Sequence, residues 1–232
     1  MTNDSDGGQT DADERHRWSL VRAALDKALS MQNTVVEKHI NRARQRNPDA
    51  TPADVVKTLE LMYRSALTGT GAAVGATAAI PAVGTGAALA LSGGEMLSAM
   101  ELTVLFALSV AQVHGVRVEE LERRRTLVLG IVLGGSSGET ISKIAERTGK
   151  HWAKAIVDSV PLATLNQINK VLGPNFVTRY GTRQGILVLG KVVPFGIGAV
   201  IGGGANLAVS EATIRTTRRA FGPAPGSWSS AS

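Results

Sequence analysis

The sequence predicts an all-α fold: a compact multi-helix domain with glycine- and alanine-rich apolar helical hairpins and disordered ends. Apolar residues recur at steps of three and four along most of the 232 residues, which is the period of an amphipathic helix. No stretch alternates apolar and polar residues between hairpin turns, as strands do. Two long stretches lack any charge and are rich in Gly and Ala, which is typical of closely packed helices.

The first two helices have clear limits. Apolar spacing predicts one long helix over residues 16–46, which Asn47-Pro48 ends. Thr51 then predicts the cap of a second helix, because Pro52 suits the first helical position and Asp54 places an acid in the first turn. An apolar stripe follows these residues.

Ser65 to Gly94 is a stretch of thirty residues without a charge, long enough to cross a bilayer. Between Ala66 and Ser92, however, it holds ten Ala, five Gly and four Thr, but only six Leu, Ile or Val. Such a composition gains little from transfer into lipid. Pro81 lies near the middle. We therefore predict two short helices hinged near Pro81, packed in protein or inserted shallowly.

The rest of the chain continues as helices. Three are predicted over residues 95–114, 118–133 and 139–160. Pro161 opens another, which Gly173-Pro174 closes. A second uncharged stretch, Val192 to Ser210, contains Pro194 and five Gly, and it leads into a basic helix that ends at Phe221.

Charge divides the chain into an acidic start and a basic body. Residues 1–14 hold five acids and no base, so we expect a disordered acidic tail, without the basic and apolar regions of a secretory signal. The whole chain has 25 basic and 19 acidic residues, a net charge of +6, which leaves +11 for the remainder. Residues 15–221 form one helical domain in this interpretation. Residues 222–232, with two Pro and four Ser, form a flexible tail.

The sequence lacks the residues and motifs that most kinds of catalysis and cofactor binding require. The absence of Cys excludes a disulfide framework, a Cys zinc site and a Cys nucleophile. The four His have no metal-binding spacing, and zinc-protease, phosphate-loop and serine-hydrolase motifs are missing. Gly69, Gly71 and Gly75 follow a predicted helix rather than a strand, which indicates helix packing and not a dinucleotide loop. We expect no metal, no cofactor and no enzyme activity.

Three polar residues are candidates for burial. Glu95 and Glu101 lie in an otherwise uncharged helix, and a buried carboxylate needs a partner or a raised pKa. Six residues apart, they fall on different faces of the helix. A polar helix edge, or a pair with a cation such as Lys191, is favoured over a proton relay. His114, just before Gly115, suits a helix C-terminus.

Basic residues gather in three clusters. These are Arg42, Arg44 and Arg46; Arg123, Arg124 and Arg125; and Arg215, Arg218 and Arg219. Nucleic-acid binding usually adds aromatic stacking platforms, and none of the nine aromatic residues interleaves with these clusters. Because the clusters adjoin apolar helices, we expect them to contact anionic membrane lipids. A solvated basic surface is the alternative.

The end of the chain resembles the closing motif of the EcsC family. The motif residues are Gly190, Lys191, Pro194, Gly196, Gly198, Gly202, Gly203 and Asn206. The uncharged stretch with Pro81 and the helix that ends at His114-Gly115 are also similar, so the resemblance spans about Thr51 to Phe221. It implies a helical protein associated with membranes, sometimes beside transporter components, with no defined biochemical activity.

These observations together predict a non-enzymatic accessory or lipid-binding protein on the cytoplasmic face of a membrane, peripheral or shallowly inserted. Its expected partners are anionic membrane lipids and, as a second candidate, a membrane protein, with no nucleic acid. Two alternatives stay open. The Gly/Ala hairpins could insert to form a pore or remodel the membrane, or the protein could be a hydrolase acting on lipids.

Overall fold

The computed structural model describes residue 19 and residues 22–45, 47–78, 85–134, 151–191 and 197–228, with the backbone alone over 70–78, 85–97, 177–191 and 197–203. These residues form eight helices and no strand, which confirms the all-α prediction. The helices are α1 (22–29), α2 (Asn33–Gln45), α3 (Pro52–Ala78), α4 (Thr85–Val113), α5 (Leu121–Leu133), α6 (Trp152–Asp158), α7 (Leu162–Lys191) and α8 (Ile197–Phe221).

The single long helix predicted over residues 16–46 is wrong. Its described part is two helices, α1 and α2, separated by a break at residues 30–32. Arg124 of α5 donates hydrogen bonds to the carbonyls of Leu29 and Met31. These carbonyls therefore have a donor although the helix is interrupted there. The break therefore depends on a side chain more than ninety positions further along the chain.

The predicted start of α3 is confirmed. The Asp54 N–H donates to the Thr51 hydroxyl at 3.3 Å, and the Thr51 N–H donates to the Asp54 carboxylate at 3.3 Å. This reciprocal arrangement is a capping box, which satisfies two backbone donors at the helix start. The hydrogen bonds from Thr51 hold the pKa of Asp54 below its ordinary value.

The uncharged stretch around Pro81 separates two helices, as predicted, but these helices are long rather than short. The first, α3, has 27 residues and ends at Ala78; the second, α4, has 29 and begins at Thr85, while Pro81 lies outside the described residues. The Tyr63 and Phe106 rings stack 4.6 Å apart between them. The six residues that link the helices reach at most about 25 Å, so the end of α3 and the start of α4 lie close together. Because Tyr63 and Phe106, both far from those ends, also lie together, α3 and α4 run antiparallel. Within the described ranges, no helix combines the length and hydropathy needed to cross a membrane.

The end of α4 is a left-handed glycine, as its place in the sequence predicts. Gly115 has a φ of 73°, a conformation that glycine adopts without strain. The Val116 N–H donates to the Ala111 carbonyl at 2.9 Å, and the Gly115 N–H donates to the Gln112 carbonyl at 3.0 Å. This is the Schellman motif, which satisfies carbonyls that a helix end leaves without partners.

One helix begins later than predicted, and another is interrupted within its predicted range. The first turn of α5 is at Leu121 rather than Val118, because the preceding residue has an extended backbone. The helix predicted over 139–160 is not continuous: α6 begins at Trp152, and His151 before it is not helical. Residues 135–150 lie outside the described part of the chain.

The helix end predicted at Gly173-Pro174 is also wrong, because α7 continues to Lys191. Its predicted start is confirmed, since the Pro161 carbonyl accepts the first backbone bonds at 3.0 and 3.1 Å. A proline inside a helix removes one backbone hydrogen bond and costs about 3 kcal/mol. Leu172 and Phe176, on either side of this proline, are fully buried, and their packing outweighs that cost.

The core is one cluster of apolar side chains, to which α1 to α8 all contribute. Among the described helices, α3 packs most extensively, against α8 on one side and α4 on the other, and α5 packs mainly against α7. Because α3 lies between α4 and α8, its contacts decide how the two uncharged stretches are placed relative to each other.

The tail after α8, which the sequence predicts to be loose, has a defined path as far as Trp228. Gly222 ends α8 with a φ of 75°. The Trp228 indole N–H donates to the Ala50 carbonyl at 3.0 Å, and the Arg44 guanidinium lies 4.5 Å from the ring centroid of Trp228. Residues 229–232 lie outside the description. One tryptophan therefore attaches this Pro- and Ser-rich segment to the bundle.

Candidate functional site

Polar contacts join α3 to α8, and we call three of them the polar ladder. Its pairs, in order along α3, are Glu60 with Arg218, Arg64 with Glu211, and the Leu67 carbonyl with Asn206. Residue numbers rise along α3 and fall along α8, so the two helices are antiparallel. The first two pairs could not be predicted from the sequence, because their partners lie about 150 positions apart.

The first pair of the ladder joins a buried acid to a mostly exposed base. The Glu60 side chain is 6% exposed and that of Arg218 is 61% exposed. The Arg218 guanidinium donates to the two Glu60 oxygens at 2.7 and 2.5 Å, a bidentate geometry that is strong and specific in direction. These bonds raise the pKa of Arg218. The pair fixes the register of α8 on α3.

The third pair involves the one residue of the predicted family motif whose side chain is described. Asn206 is buried, and its amide donates to the Leu67 carbonyl at 3.0 Å. A carbonyl inside a helix can accept a second hydrogen bond, so Asn206 ties α8 to the α3 backbone without breaking α3. This contact lies immediately before the glycines that begin at Gly69.

The Arg64–Glu211 pair is also a boundary of charge. Beyond it, α3 has no charged residue from 65 to Ala78, and α8 has none from Ile197 to 210. Because the helices are antiparallel with Arg64 opposite Glu211, these two segments lie side by side. The first ten residues of α4 are likewise uncharged, and α4 is antiparallel to α3. The three segments share one end of the bundle, which we call the uncharged end.

Buried hydroxyl groups lie between α3 and α4. The Tyr63 and Thr103 hydroxyl oxygens are 2.9 Å apart, and burial raises the pKa of Tyr63. The Thr68 and Ser109 hydroxyls are buried and have no hydrogen-bond partner among the described residues. Among the described residues, no histidine or carboxylate is hydrogen-bonded to any of these hydroxyls.

The triplet Arg123 to Arg125, predicted to contact lipid, has its guanidinium groups bonded within the protein. Successive residues of a helix point about 100° apart, so the three side chains reach different neighbours. Arg123 donates to the carbonyls of Ile156 and Val160 at 2.7 and 3.0 Å. These carbonyls lie at the end of α6, where a helix leaves carbonyls without internal partners. Arg123 therefore caps α6.

Arg124 is a buried cation held by neutral oxygens. It is 7% exposed and donates to the carbonyls of Val118, Leu29 and Met31 at 2.7, 3.3 and 2.5 Å, and also to the Asn33 side chain. Burial lowers its pKa from the ordinary value. One guanidinium thus joins the start of α5 to the break between α1 and α2.

Arg125 completes the set with two ion pairs, to Asp26 of α1 at 2.8 Å and to Glu122 at 3.1 Å. The triplet therefore holds α1, α5 and α6 together. The predicted contact of these three residues with lipid stays a prediction, although the hydrogen bonds described here occupy donors that lipid phosphates would need.

The other two basic clusters differ in exposure. Arg42, Arg215 and Arg219 are exposed and form no ion pair with the residues that are described. Arg44 stacks on Trp228, and Arg218 pairs with Glu60. Arg46 lies outside the described ranges. The residues best placed to meet an external anion are therefore the three exposed arginines and Arg44.

The candidates for buried polar roles are dispersed. Glu101 is partly exposed, whereas the side chains of Glu95 and Lys191 lie outside the description. The His114 Nδ1 atom lies 2.8 Å from the Val110 carbonyl, which can only accept, so Nδ1 carries the donated proton. The Nε2 atom is buried without a described partner. His114 occupies the helix end where the sequence places it.

The remaining motif residues are described only in part. Gly190 and Lys191 end α7, Gly198, Gly202 and Gly203 lie within α8, and Pro194 and Gly196 fall outside the described ranges. Because the side-chain surroundings of these residues are not described, their predicted role in helix packing stays a prediction. Asn206 is the motif residue whose side-chain contact is described, and that contact is its hydrogen bond to the Leu67 carbonyl.

The described surface includes two open grooves lined by charged residues, and no group of three or more His, Asp or Glu residues in the described ranges could hold a metal ion. One groove, of about 350 Å³, is lined in part by Arg22 and Lys170. The other, of about 430 Å³, lies between α2, the end of α4 and the tail, beside Arg44, Arg117 and Trp228. This second groove was not predicted from the sequence. A lone Trp in a Gly-, Pro- and Ser-rich tail was the one signal that could have revealed it.

Comparison with known proteins finds no relative: no protein-family model, no curated protein and no solved structure matches the chain. Function is therefore inferred from the polar ladder, the uncharged end and the exposed arginines.

Proposed function

We propose that this chain is a non-enzymatic protein that associates with the cytoplasmic face of a membrane through its uncharged end. The observation that supports the proposal most is the boundary at Arg64 and Glu211, beyond which α3 and α8 carry no charge and lie side by side. Apolar helix surfaces that adjoin basic residues are typical of proteins bound at the lipid interface. The resemblance to the EcsC family supports the same setting.

The length of the uncharged segments favours shallow contact over a crossing. Each uncharged segment of α3 and α8 has 14 helical residues, which span about 21 Å, whereas the hydrocarbon core is about 30 Å thick. Gly, Ala and Thr also contribute little to transfer into lipid. We therefore propose entry to the depth of one leaflet, with association that is reversible.

The basic residues nearest the boundary would contact anionic headgroups. Arg215 follows Glu211 by one helical turn, about 6 Å, and Arg219 follows by another turn. Both side chains are exposed, and long basic side chains can reach phosphates while their stems lie along apolar surface. Each basic residue near an anionic surface contributes about 1 kcal/mol, which is lost as salt screens it. Anionic phospholipids are the proposed partners, with a membrane protein as a second candidate.

A first experiment tests the uncharged end by adding a charge to it. Leu207 in α8 is 40% exposed, and Leu121 at the start of α5 is 46% exposed. We expect Leu207→Glu to lose co-flotation with vesicles of phosphatidylglycerol and phosphatidylcholine, because a carboxylate there must be desolvated. Leu121→Glu is the matched control and should float like the native protein. Equal flotation of both variants would refute insertion of the uncharged end.

A second experiment tests the headgroup contact. The double variant Arg215→Ser/Arg219→Ser should bind phosphatidylglycerol vesicles at least about tenfold more weakly and should respond less to salt. The double variant Lys27→Ser/Lys38→Ser, at two exposed residues of α1 and α2, is the control for the loss of two positive charges. Equal binding of the native protein to neutral vesicles would contradict the electrostatic part. The triplet at Arg123 is a poor target, because its removal would disturb the fold.

The same vesicles and pure protein can be used to test the two alternative functions. Release of a trapped dye from vesicles at low protein concentration would favour a pore-forming or membrane-remodelling protein. Turnover of the lipid by pure protein would favour a lipid hydrolase. Either result would replace the proposal of a non-enzymatic accessory protein.

A further inference from the structure

We infer that the groove between α2, the end of α4 and the tail is a binding site for the oxyanion group, phosphate or carboxylate, of a small molecule. The groove has a volume of about 430 Å³, within the range of small-molecule sites. Its cationic groups are Arg44 and Arg117, and its aromatic wall is Trp228. This inference does not rest on the proposed function.

Arg44 is held in place by an aromatic ring, and its guanidinium donates no hydrogen bond to another residue in the described ranges. Its guanidinium lies 4.5 Å from the centroid of the Trp228 ring, and the Trp228 indole is itself fixed by its hydrogen bond to the Ala50 carbonyl at 3.0 Å. A guanidinium stacked on an aromatic face keeps its N–H donors pointing outward in its own plane. Such a group is oriented for bidentate contact with a phosphate or carboxylate.

Arg117 supplies a second positive charge to the same groove. It is exposed, and neither Arg44 nor Arg117 forms an ion pair with any residue in the described ranges. An anion bound in the groove would be attracted by both guanidinium groups. The amide side chains of Asn41 and Gln112 also line the groove and can donate further hydrogen bonds.

The rest of the lining limits the ligand. Ile40 and Val113 give the groove an apolar part, which would contact the carbon skeleton of a small molecule. Glu37 also lines the groove and lies seven residues, about 10 Å, before Arg44 on α2. Its carboxylate would repel an anion at its own end of the groove and accept a hydrogen bond from a hydroxyl or an amine there. The arrangement therefore favours one oxyanion at the Arg44 end.

The groove lies far from the uncharged end. It is built around the last residues of α4, whose 29 residues span about 43 Å from their uncharged start. A ligand in this groove would therefore not contact the leaflet that the uncharged end is proposed to enter. The two sites can be tested independently on the same protein.

The test uses isothermal titration calorimetry of the full chain with inorganic pyrophosphate, glycerol 3-phosphate and citrate as probes. We expect saturable binding of at least one probe at one site per chain. Arg44→Gln and Arg117→Gln should each weaken it by about tenfold, the usual effect of losing one charge-assisted contact. Glu37→Gln should strengthen it, because it removes a repelling charge.

Arg42→Gln is the matched control, since Arg42 is exposed on the same helix but does not line the groove. It should change the affinity less than twofold. Absence of saturable binding by every soluble probe and by anionic vesicles would overturn the inference. So would an equal loss in the Arg42, Arg44 and Arg117 variants, because that result indicates only net charge.

Vesicle flotation distinguishes the two sources of the oxyanion. Binding of soluble probes, with normal flotation of Arg44→Gln, would identify a free small molecule and would leave the proposed membrane contact untouched. Binding only to phosphatidylglycerol vesicles, lost in Arg44→Gln and kept in Arg42→Gln, would identify a lipid headgroup as the ligand. That second outcome would support the groove as an anion-binding site and would contradict the proposal that the uncharged end enters the membrane. Normal flotation of Leu207→Glu would contradict the same proposal.

Discussion

Arg124 offers the sharpest test of how this bundle is held together. Its guanidinium is 7% exposed and donates to three backbone carbonyls, those of Leu29, Met31 and Val118. Two of these carbonyls belong to the break between α1 and α2, where no helical N–H takes them up in the usual pattern. Arg124→Ala would remove their donor and leave a space in the interior.

The expected cost follows from these contacts. Each buried carbonyl left without a partner costs about 1–3 kcal/mol. The loss is offset in part, because the unfavourable burial of the cation also disappears in the variant. We expect Arg124→Ala to lower the free energy of unfolding by about 3–5 kcal/mol, because the losses at the three carbonyls add up and the relief of the buried cation subtracts from them. Arg124→Lys keeps the charge but cannot reach all the oxygens at once, so it should lose less than the alanine variant.

Urea unfolding followed by far-UV circular dichroism measures this change. Arg215→Ala is the control, because Arg215 is exposed and has no ion pair among the described residues. It should change the free energy of unfolding by less than about 0.5 kcal/mol. The reasoning is refuted if Arg124→Ala is as stable as the control, since water would then be reaching the carbonyls of Leu29 and Met31.

Three further predictions concern the polar ladder, the tail and pH. Arg218→Ala should destabilise the protein more than Glu60→Gln in urea melts, because it leaves a buried carboxylate unpaired, whereas the second change leaves an exposed cation; equal losses would contradict this. Gly222→Ala should lower the melting temperature, since φ is 75° and a Cβ there would lie 2.5 Å from the His151 ring; if the clash contributes, adding His151→Ala should restore part of the loss. Burial, and then the charge of Arg42, lowers the pKa of His39 below 6.5, so the unfolded chain binds this proton more readily and the free energy of unfolding should fall as pH drops below about 6.5. His39→Gln should flatten that pH dependence, and an unchanged slope would exclude His39 as its source.

Several features of the fold could be predicted from the sequence because they depend on neighbouring residues. The capping box at Thr51, the helix start at Pro161 and the left-handed end at Gly115 each involve residues within about five positions. Helical period and the absence of strand alternation were enough for the all-α class. The family resemblance singled out Asn206, but nothing in the sequence identified its partner, the Leu67 carbonyl.

The basic clusters show where local reasoning stops. Arg123, Arg124 and Arg125 look in the sequence like one charged patch, yet each bonds to a different element. A run of adjacent arginines on a helix points in three directions, and only the neighbours decide whether each direction meets solvent or protein. The same holds for Arg44 and Arg117, which lie in one groove although 73 positions separate them.

The sequence by itself determined the helical class, the caps and the charge-free stretches, because hydrogen bonds within a turn and apolar periodicity act over a few residues. Only the tertiary structure decided that the chain breaks before α2, that α7 continues through Pro174, and that the uncharged parts of α3 and α8 lie together. These features depend on partners far along the chain, and their packing energies exceed local preferences such as the cost of about 3 kcal/mol for a proline within a helix.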